Sequence, residues 1–289
     1  MPPDSQHPRF AYFGTPRFAT IILDELAHAG HLPALIVTAP DKPKGRKLAI
    51  TPSEVRVWAE AHHIPMVTPE KLADKIFFDT LRSHDCDLFI VAAYGKIIPK
   101  EILLLPRHGV LNVHPSLLPK FRGPSPVESV ILSDENRTGV TIMKLDEELD
   151  HGPIIAEREY AQDTWPPKGS ELTATLAHQG GALLAKILPN WVAGKIEAFP
   201  QKHTEATFTK KIRKEDGLID LHGDPLLHYK KIRAFDEWPG AYFFTDRNGK
   251  KIRVRITDAT LENNVLTILR VVPEGKKEMS YEDFLRGGH

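Results

Sequence analysis

The sequence predicts an α/β protein with a doubly wound, mostly parallel, Rossmann-like sheet and a small C-terminal β-barrel (OB-like) domain. Short apolar runs alternate with segments of helical period through the first two thirds of the chain. Nearer the C-terminus, this alternation gives way to short strand candidates separated by turn residues. With 289 residues, 41% of them hydrophobic, the chain is long enough for one large core and one smaller core.

Four near-continuously apolar runs predict the strands of the large sheet. They are Phe10–Phe13, Ala34–Val37, Asp87–Ala93 and Gly109–Val113. Strands of this composition are covered on both faces, which is typical of parallel sheets.

Three further segments repeat apolar residues at intervals of three and four, which predicts helices. They span 19–30, 53–63 and 169–194; the first ends in a glycine, and the second begins at a serine that follows Pro52. Strands that alternate with helices imply right-handed crossovers and therefore a parallel sheet.

The composition of the chain changes after the third helix, and this change predicts the domain limits. Residues 195–206 are polar and lack a period, so we interpret them as a linker between a domain of residues 1–194 and a domain of residues 207–289. The strand candidates GAYFF, KIRVRITDATL and VLTILRVV follow, separated by turn signals such as Arg247-Asn248-Gly249. Short strands of this kind are typical of a small β-barrel.

The charge balance and the single cysteine limit the class of protein. Lys plus Arg and Asp plus Glu number 38 each, so any charge signal must be local. Cys86 has no partner for an internal disulfide, and we interpret it as a buried, unreactive thiol in a reducing compartment. The N-terminus lacks an apolar signal-peptide core, and no run of about 18 apolar residues occurs. We therefore expect a soluble, cytoplasmic protein without a membrane partner. We also expect a monomer, although these observations do not bear on the oligomeric state.

Two common kinds of ligand site are missing from the sequence. The first strand is followed by GTPRFA rather than G-x-G-x-x-G, and no P-loop occurs, which argues against a nucleotide cofactor at this turn. The fourteen histidines are scattered without metal-ligand spacing, so no metal is expected. Ligands of open α/β sheets still collect beyond the carboxyl ends of the strands, where loops converge.

The stretch LNVHPSLLPKFRG, residues 111–123, carries two polar side chains at such a strand end. Asn112 and His114 are two residues apart on an extended segment, so their side chains project to the same side of the sheet. An amide donates to a developing oxyanion, and an imidazole takes or gives a proton. Asp150, before a His-Gly-Pro turn, is a third candidate, because a carboxylate near His114 would stabilise the imidazolium. Together the three suit acyl transfer to an amine.

Ordinary structural roles also explain these three residues. A lone histidine on a strand is more often structural than catalytic. Asp150 has the position of a turn former, and Asn112 at a strand end could satisfy loop backbone groups. Spacing along the chain does not by itself bring Asp150 to His114.

Two long motifs carry a family resemblance. NVHPSLLPKFRGPSPV and TGVTIMKLDEELDHGPII, in this order and spacing, resemble the paired signature of the folate-dependent formyltransferases. The resemblance implies that Asn112, His114 and Asp150 are catalytic and that 10-formyltetrahydrofolate is the formyl donor, without a metal. The residues that it implies for the donor site are Ser116, Leu117, Leu118 and Pro119.

Further stretches resemble the methionyl-tRNA formyltransferases within this family. They are FGTPRFA, PDKPKGRKLAITPSEVRVWA, KKIRKEDGLIDL, IRAFDEWPGAYF and PEGKKEMSYEDFL. The resemblance implies initiator methionyl-tRNA and folate as partners. It also implies that Phe18 helps form the pocket for the methionyl side chain and that the loop with Arg46 enters the acceptor-stem region. Phe18 is equally suited to anchor the first helix in the core.

Local charge agrees with an RNA partner. Four basic residues fall in a predicted loop that also holds a proline and a glycine, and they are expected to contact tRNA phosphates. They are Lys42, Lys44, Arg46 and Lys47. Between Lys210 and Arg255, twelve basic residues stand against seven acidic ones, a difference of plus five. A solvated charged surface explains the same residues if the resemblance is set aside.

Three alternatives remain open from the sequence. A sugar-nucleotide N-formyltransferase would use the same Asn, His and Asp, but it needs a pocket for a nucleotide diphosphate, which the sequence does not identify. A formyl-folate hydrolase would use water in place of the amine and has no need of a basic second domain. A non-catalytic RNA-binding module would leave Asn112, His114 and Asp150 unexplained.

Overall fold

The computed structural model describes residues 8–44, 49–133, 135–162, 164–247 and 249–287. In chain order, the elements up to residue 192 are β1 (Phe10–Gly14), α1 (Arg17–His28), β2 (Leu35–Val37), β3 (Lys42–Lys44), β4 (Ala49–Thr51), α2 (Glu54–Ala61), β5 (Met66–Val67), α3 (Lys75–Ser83), β6 (Leu88–Ala92), α4 (Lys100–Leu103), β7 (Val110–His114), α5 (Pro126–Leu132), β8 (Thr138–Lys144), β9 (Ile154–Tyr160) and α6 (Gly169–Val192). The four strands and three helices predicted for this part of the chain are confirmed, with ends that differ by a few residues.

Seven of these strands form one sheet in the order β5-β2-β1-β6-β7-β8-β9. Neighbours are parallel from β5 through β7, whereas β7, β8 and β9 pair antiparallel. The prediction of a mostly parallel α/β sheet is therefore confirmed. The antiparallel edge of β8 and β9 was not predicted, because its sequence mixes apolar and charged residues and lacks the continuous apolar pattern of the inner strands.

The sheet is covered on both faces, as the apolar runs predicted. Alternate residues of β1 belong to separate cores: Phe10 and Tyr12 pack with α1, α2 and α6, whereas Ala11 and Phe13 pack with α3 and α4. Helix α6 reaches the sheet closely at Gly180, where an added Cβ would lie 2.6 Å from Val113 Cγ1. The absence of a side chain at this position therefore lets α6 pack directly behind β7, the strand that carries Asn112 and His114.

The C-terminal region forms a separate antiparallel sheet. Its elements are α7 (Pro225–Ala234), β10 (Tyr242–Arg247), β11 (Lys250–Glu262), β12 (Val265–Pro273), β13 (Met279–Ser280) and α8 (Tyr281–Leu285). The four strands follow each other in chain order, and Ile232, Phe243, Val254 and Val271 are among the buried residues of their core. The separate antiparallel sheet is confirmed; its closure into an OB-like barrel stays a prediction.

Packing divides the chain into two compact units that are not continuous in sequence. The first comprises the residues up to Pro124, Thr138–Tyr160 and Thr173–Phe208; the second comprises Ser125–Arg137, Ala161–Leu172 and the residues from Thr209. Residues 195–206, predicted as a linker, are part of the first unit, in which Phe199 exchanges backbone hydrogen bonds with Ile154. The predicted domain limits at residues 194 and 207 rest on composition, which does not reveal pairing between distant residues. These limits stay a prediction.

Neither a bilayer-crossing helix nor a cluster of metal ligands occurs among the residues that the structure describes. Within these residues, no helix combines the length and the apolar character that crossing a bilayer requires. The same part of the chain contains no group of three or more His, Cys, Asp or Glu side chains placed to hold a metal ion.

Cys86 precedes β6 and is half-buried, and burial raises the pKa of its thiol to about 11. Because the thiolate is the nucleophile, we expect iodoacetamide at pH 8 to label the native protein on the order of 100-fold more slowly than a free cysteine. Mass spectrometry over time measures the rate, and the denatured protein is the control. Labelling of the native protein at the rate of the denatured one would contradict the prediction.

Candidate active site

Asn112 and His114 lie at the carboxyl end of β7, where the sheet changes from parallel to antiparallel pairing. Asn112 pairs with Val91 of β6 on one side and with Met143 of β8 on the other, and His114 pairs with Thr141 of β8. Their side chains project from the same face, as the spacing predicted. Both residues are buried, with 8% of Asn112 and 4% of His114 exposed. The strand therefore presents an amide and an imidazole together in a poorly hydrated environment.

The hydrogen bonds of the imidazole assign different roles to its two nitrogens. His114 Nε2 lies 3.0 Å from the backbone oxygen of Phe121. A carbonyl oxygen only accepts, so Nε2 carries the proton of the neutral ring and donates it. Nδ1 is then the basic atom, and it lies 3.8 Å from Asp150 Oδ2. This arrangement suits proton transfer at Nδ1 beside a carboxylate that stabilises the charged ring.

Asp150 reaches His114 through a tight turn after β8. The residue has a φ of 46°, in the left-handed region, and its Oδ2 accepts a hydrogen bond of 2.7 Å from the backbone nitrogen of Gly123. Two residues later, a Cβ at Gly152 would lie 1.9 Å from the backbone oxygen of Lys144, so only glycine fits this path. The turn thus brings together the predicted catalytic residues, which are 36 positions apart along the chain.

The segment after His114 is held by hydrogen bonds of its own. The fully buried Ser116 donates its hydroxyl to Lys120 O at 2.7 Å. Thr141 Oγ1 donates to Ser116 O at 2.7 Å and accepts from Leu118 N at 3.1 Å. Leu117 and Pro119 are half-buried in the same segment. Sequence reasoning missed Thr141, whose hydroxyl fixes this segment against β8.

The Asn112 amide differs from these groups, because it makes no hydrogen bond with any residue that the structure describes. A buried amide without a protein partner is costly unless it meets water or a ligand. Its position next to His114 on the same face makes it a hydrogen-bond donor available to a bound molecule.

Two more polar residues of the site were not predicted. Gln201 is buried and donates to the backbone oxygens of Asp150 and Gly152, at 2.9 and 2.7 Å. Arg122 is buried and donates to Gln201 Oε1 from Nη2 at 2.6 Å. Gln201 lies in a segment that sequence composition indicated to be a linker. Arg122 lies in the same motif as Asn112 and His114, but the motif by itself did not indicate a role for it. Composition and spacing carry no signal for such a contact over 79 residues.

The other predicted site residues lie on α1, on β3 or outside the residues that the structure describes. Phe18 lies on α1 with 6% exposure and belongs to the core that packs against the sheet. Lys42 and Lys44 fall on β3, whose backbone pairs with β4. Arg46 and Lys47 lie outside the described residues.

Eleven of the twelve basic residues between Lys210 and Arg255 fall into two groups, and the twelfth, Arg255, is half-buried. Five of the twelve donate to backbone oxygens of their own unit, which removes them from the free surface. They are Lys230, Lys231, Arg233, Arg247 and Arg253. Six others are exposed. They are Lys210, Lys211, Arg213, Lys214, Lys250 and Lys251.

Family models match both parts of the chain. A model described as "Formyl transferase" matches residues 8–188, and a model described as "Formyl transferase, C-terminal domain" matches residues 211–264. The first match includes Asn112, His114 and Asp150, and the second begins within the exposed basic segment at Lys210.

A curated relative and two solved structures are similar to the chain. A protein of Chloroflexus aggregans named methionyl-tRNA formyltransferase is 39% identical, over 97% of this chain and 97% of its own. The structure of HypX from Aquifex aeolicus in complex with tetrahydrofolic acid has a TM-score of 0.66 at 18% identity. It covers 97% of this chain, which spans about half (48%) of that protein.

The second solved structure is an N-formyltransferase from Helicobacter canadensis with folinic acid and dTDP-3-aminofucose. It has a TM-score of 0.62 at 18% identity and covers 89% of this chain and 88% of its own. At these identities, the two solved structures show that the fold is shared and no more.

Proposed function

The chain belongs to the formyl transferase family, and from this premise we propose that it transfers a formyl group from a folate donor to the amino group of methionyl-tRNA. The main evidence for methionyl-tRNA as the acceptor is the 39% identity, over 97% of both chains, to a protein named methionyl-tRNA formyltransferase. A match over nearly the full length includes the C-terminal region as well as the catalytic one.

The donor we propose is 10-formyltetrahydrofolate, held beside the segment Ser116–Pro119. The tetrahydrofolic acid in the structure of the related HypX fold supports a folate. Hydrogen bonds of Ser116 and Leu118 fix the backbone of this segment next to His114. The unpartnered Asn112 amide fits a formyl group, because a formyl oxygen accepts the hydrogen bond that this amide offers. No metal is proposed.

Asn112, His114 and Asp150 have different roles in the proposed reaction. Asn112 donates to the formyl oxygen, and its hydrogen bond strengthens as negative charge develops on that oxygen during attack by the amine. His114 accepts the proton that the attacking amine loses, at Nδ1, because Nε2 is committed to Phe121 O. Asp150 stabilises the resulting imidazolium from 3.8 Å. The same imidazolium returns the proton to the nitrogen of the departing folate, so the cycle closes without net proton uptake.

We propose that the tRNA is held by basic side chains outside this trio. The exposed basic residues between Lys210 and Lys214, together with Lys250 and Lys251, offer positive charge at the surface. The segment with Lys42, Lys44, Arg46 and Lys47, of which the first two lie on β3 rather than in the predicted loop, is proposed to contact the acceptor-stem region on the family resemblance alone. Phe18 is proposed for the methionyl pocket on the same basis, although its burial in the core equally fits an anchor for α1.

A sugar-nucleotide acceptor is the closest alternative. The Helicobacter canadensis structure shares the fold at 18% identity, which does not extend its acceptor to this chain.

A cytoplasmic location agrees with the reducing environment that one free cysteine indicates, and it is proposed on that ground. The monomeric state stays a prediction.

A direct comparison of acceptors tests the function. The purified protein is incubated with 10-formyltetrahydrofolate and, in parallel, with charged initiator methionyl-tRNA, a dTDP-amino sugar or buffer. We expect rapid formylation of methionyl-tRNA, with little reaction of the amino sugar and slow donor hydrolysis in buffer. Faster formylation of the amino sugar would replace the proposed acceptor, and donor hydrolysis at the same rate in all three would indicate a hydrolase.

A further inference from the structure

The side chain of Gln201 forms a bridge between a distant segment and the Asp150 turn. Its Nε2 donates two hydrogen bonds, to Asp150 O at 2.9 Å and to Gly152 O at 2.7 Å. A primary amide has two N–H donors, so the turn uses both of them. Gln201 is only 5% exposed, and these bonds are therefore shielded from competing water.

Arg122 fixes which end of the Gln201 amide faces the turn. Its Nε and Nη2 lie 3.1 and 2.6 Å from Gln201 Oε1. A guanidinium only donates, so the atom that faces it must be the oxygen, and the NH₂ group points to the turn. Arg122 is itself 3% exposed and its backbone nitrogen donates to Thr207 O at 2.9 Å. The amide is thus held on both sides.

The turn has a conformation that requires such support. Asp150 adopts a φ of 46°, which a residue with a side chain occupies rarely unless its surroundings hold it. Gln201 donates to the backbone oxygens of Asp150 and Gly152 within this turn. Gly123 N donates to the side-chain carboxylate of Asp150. Loss of the Gln201 bonds would free the backbone and, with it, the direction of the carboxylate toward His114 Nδ1.

We propose that Gln201 is a positioning residue for the formyl transfer: it holds Asp150 in the orientation that stabilises protonated His114. This inference rests on the proposed function, in which Asp150 acts on His114. Gln201 touches neither of the reacting groups in this scheme, and its effect passes entirely through Asp150. A glutamine that only stabilised the fold would act independently of Asp150.

A double-mutant cycle in the full-length protein separates these two roles. Gln201→Met keeps the length of the side chain and removes both donors. We expect it to lower kcat for methionyl-tRNA formylation on the order of 10- to 100-fold, as loss of a group that orients a catalytic residue does, with KM for tRNA and donor little changed. In the Asp150→Ala background, the same substitution should lower single-turnover formylation by less than about 2-fold, because the group that it positions is gone.

Two more variants support the interpretation. Gln201→Glu retains a partner for Arg122 but places carboxylate oxygens against two backbone oxygens, so it should lower kcat at least as much as Gln201→Met. Gln179→Met changes another glutamine of the first unit, on α6, and should leave kcat unchanged. Circular dichroism of each variant establishes that it is folded, and Gln201→Glu replaces Gln201→Met in the cycle if the latter does not fold.

Different results would contradict the positioning role of Gln201 and the proposed function on which it rests. A loss of activity from the Gln201 substitution that is equally large in the wild-type and Asp150→Ala backgrounds overturns the positioning role, as does an unchanged kcat in the single variant. If the wild-type protein does not formylate methionyl-tRNA, the proposed function fails before Gln201 is tested.

Discussion

Replacing Asn112 or His114 with alanine is expected to lower kcat for methionyl-tRNA formylation by about 100- to 1000-fold, while KM for tRNA changes little. Both side chains are buried at the end of β7 and lie next to each other on one face of the sheet. In the proposed mechanism, the Asn112 amide interacts with charge that exists only during the reaction, and His114 moves a proton only then. Steady-state kinetics with charged initiator tRNA measures both constants.

Matched substitutions on α6 are the controls for this experiment. His178 is exposed and pairs with Glu25, and Asn190 is exposed near the end of the helix. Alanine at either position should leave kcat within about 2-fold of the wild-type value, as is usual for surface residues. A His114→Ala variant that retains near-normal turnover would exclude the imidazole as the proton acceptor, and the mechanism would have to assign that role to another group.

Neutralising Lys210, Lys211, Arg213 and Lys214 together is expected to raise KM for methionyl-tRNA steeply and to flatten its dependence on salt. Each phosphate contact contributes about 0.7 to 0.9 to the slope of log affinity against log salt, so the loss of four contacts would lower the slope by about 3. All four side chains are exposed. Donor affinity should not change, because none of the residues proposed for the donor site belongs to this segment. Binding titrations over a range of salt concentrations measure the slope.

A control with the same change of charge uses exposed residues of the first unit. Lys71, Arg82, Lys186 and Lys195 are three lysines and one arginine, as in the tested set. Their neutralisation should leave the salt slope close to that of the wild-type protein. If both sets flatten the slope equally, the effect comes from net charge, and the segment at Lys210 is not a specific contact with tRNA.

Internal hydrogen bonds of the C-terminal unit involve several of the basic side chains that the sequence indicated as a charged surface. The sequence indicated an excess of five positive charges between Lys210 and Arg255. In the structure, Lys230 donates to Ser133 O and Arg233 donates to Pro166 O, and three more basic residues make similar bonds. A count of charges does not distinguish a side chain that binds a backbone oxygen from one that is free to bind phosphate.

Features that depend on local pattern were predictable from the order of residues alone. The apolar runs predicted strands β1, β2, β6 and β7, because a strand covered on both faces needs apolar residues throughout. The spacing of Asn112 and His114 placed both on one face, because side chains alternate along a strand. The two motifs identified the family, which the match over residues 8–188 confirmed.

Contacts between residues far apart in the chain became apparent in the folded structure alone. Asp150 reaches His114 because Gly152 permits a close turn against Lys144 and because Gly123 binds the carboxylate. Gln201 joins the same turn from a segment that composition indicated to be a linker. Such contacts depend on the path of the whole backbone and on bonds between residues tens of positions apart. Neither composition nor periodicity records them, since both describe only neighbours along the chain.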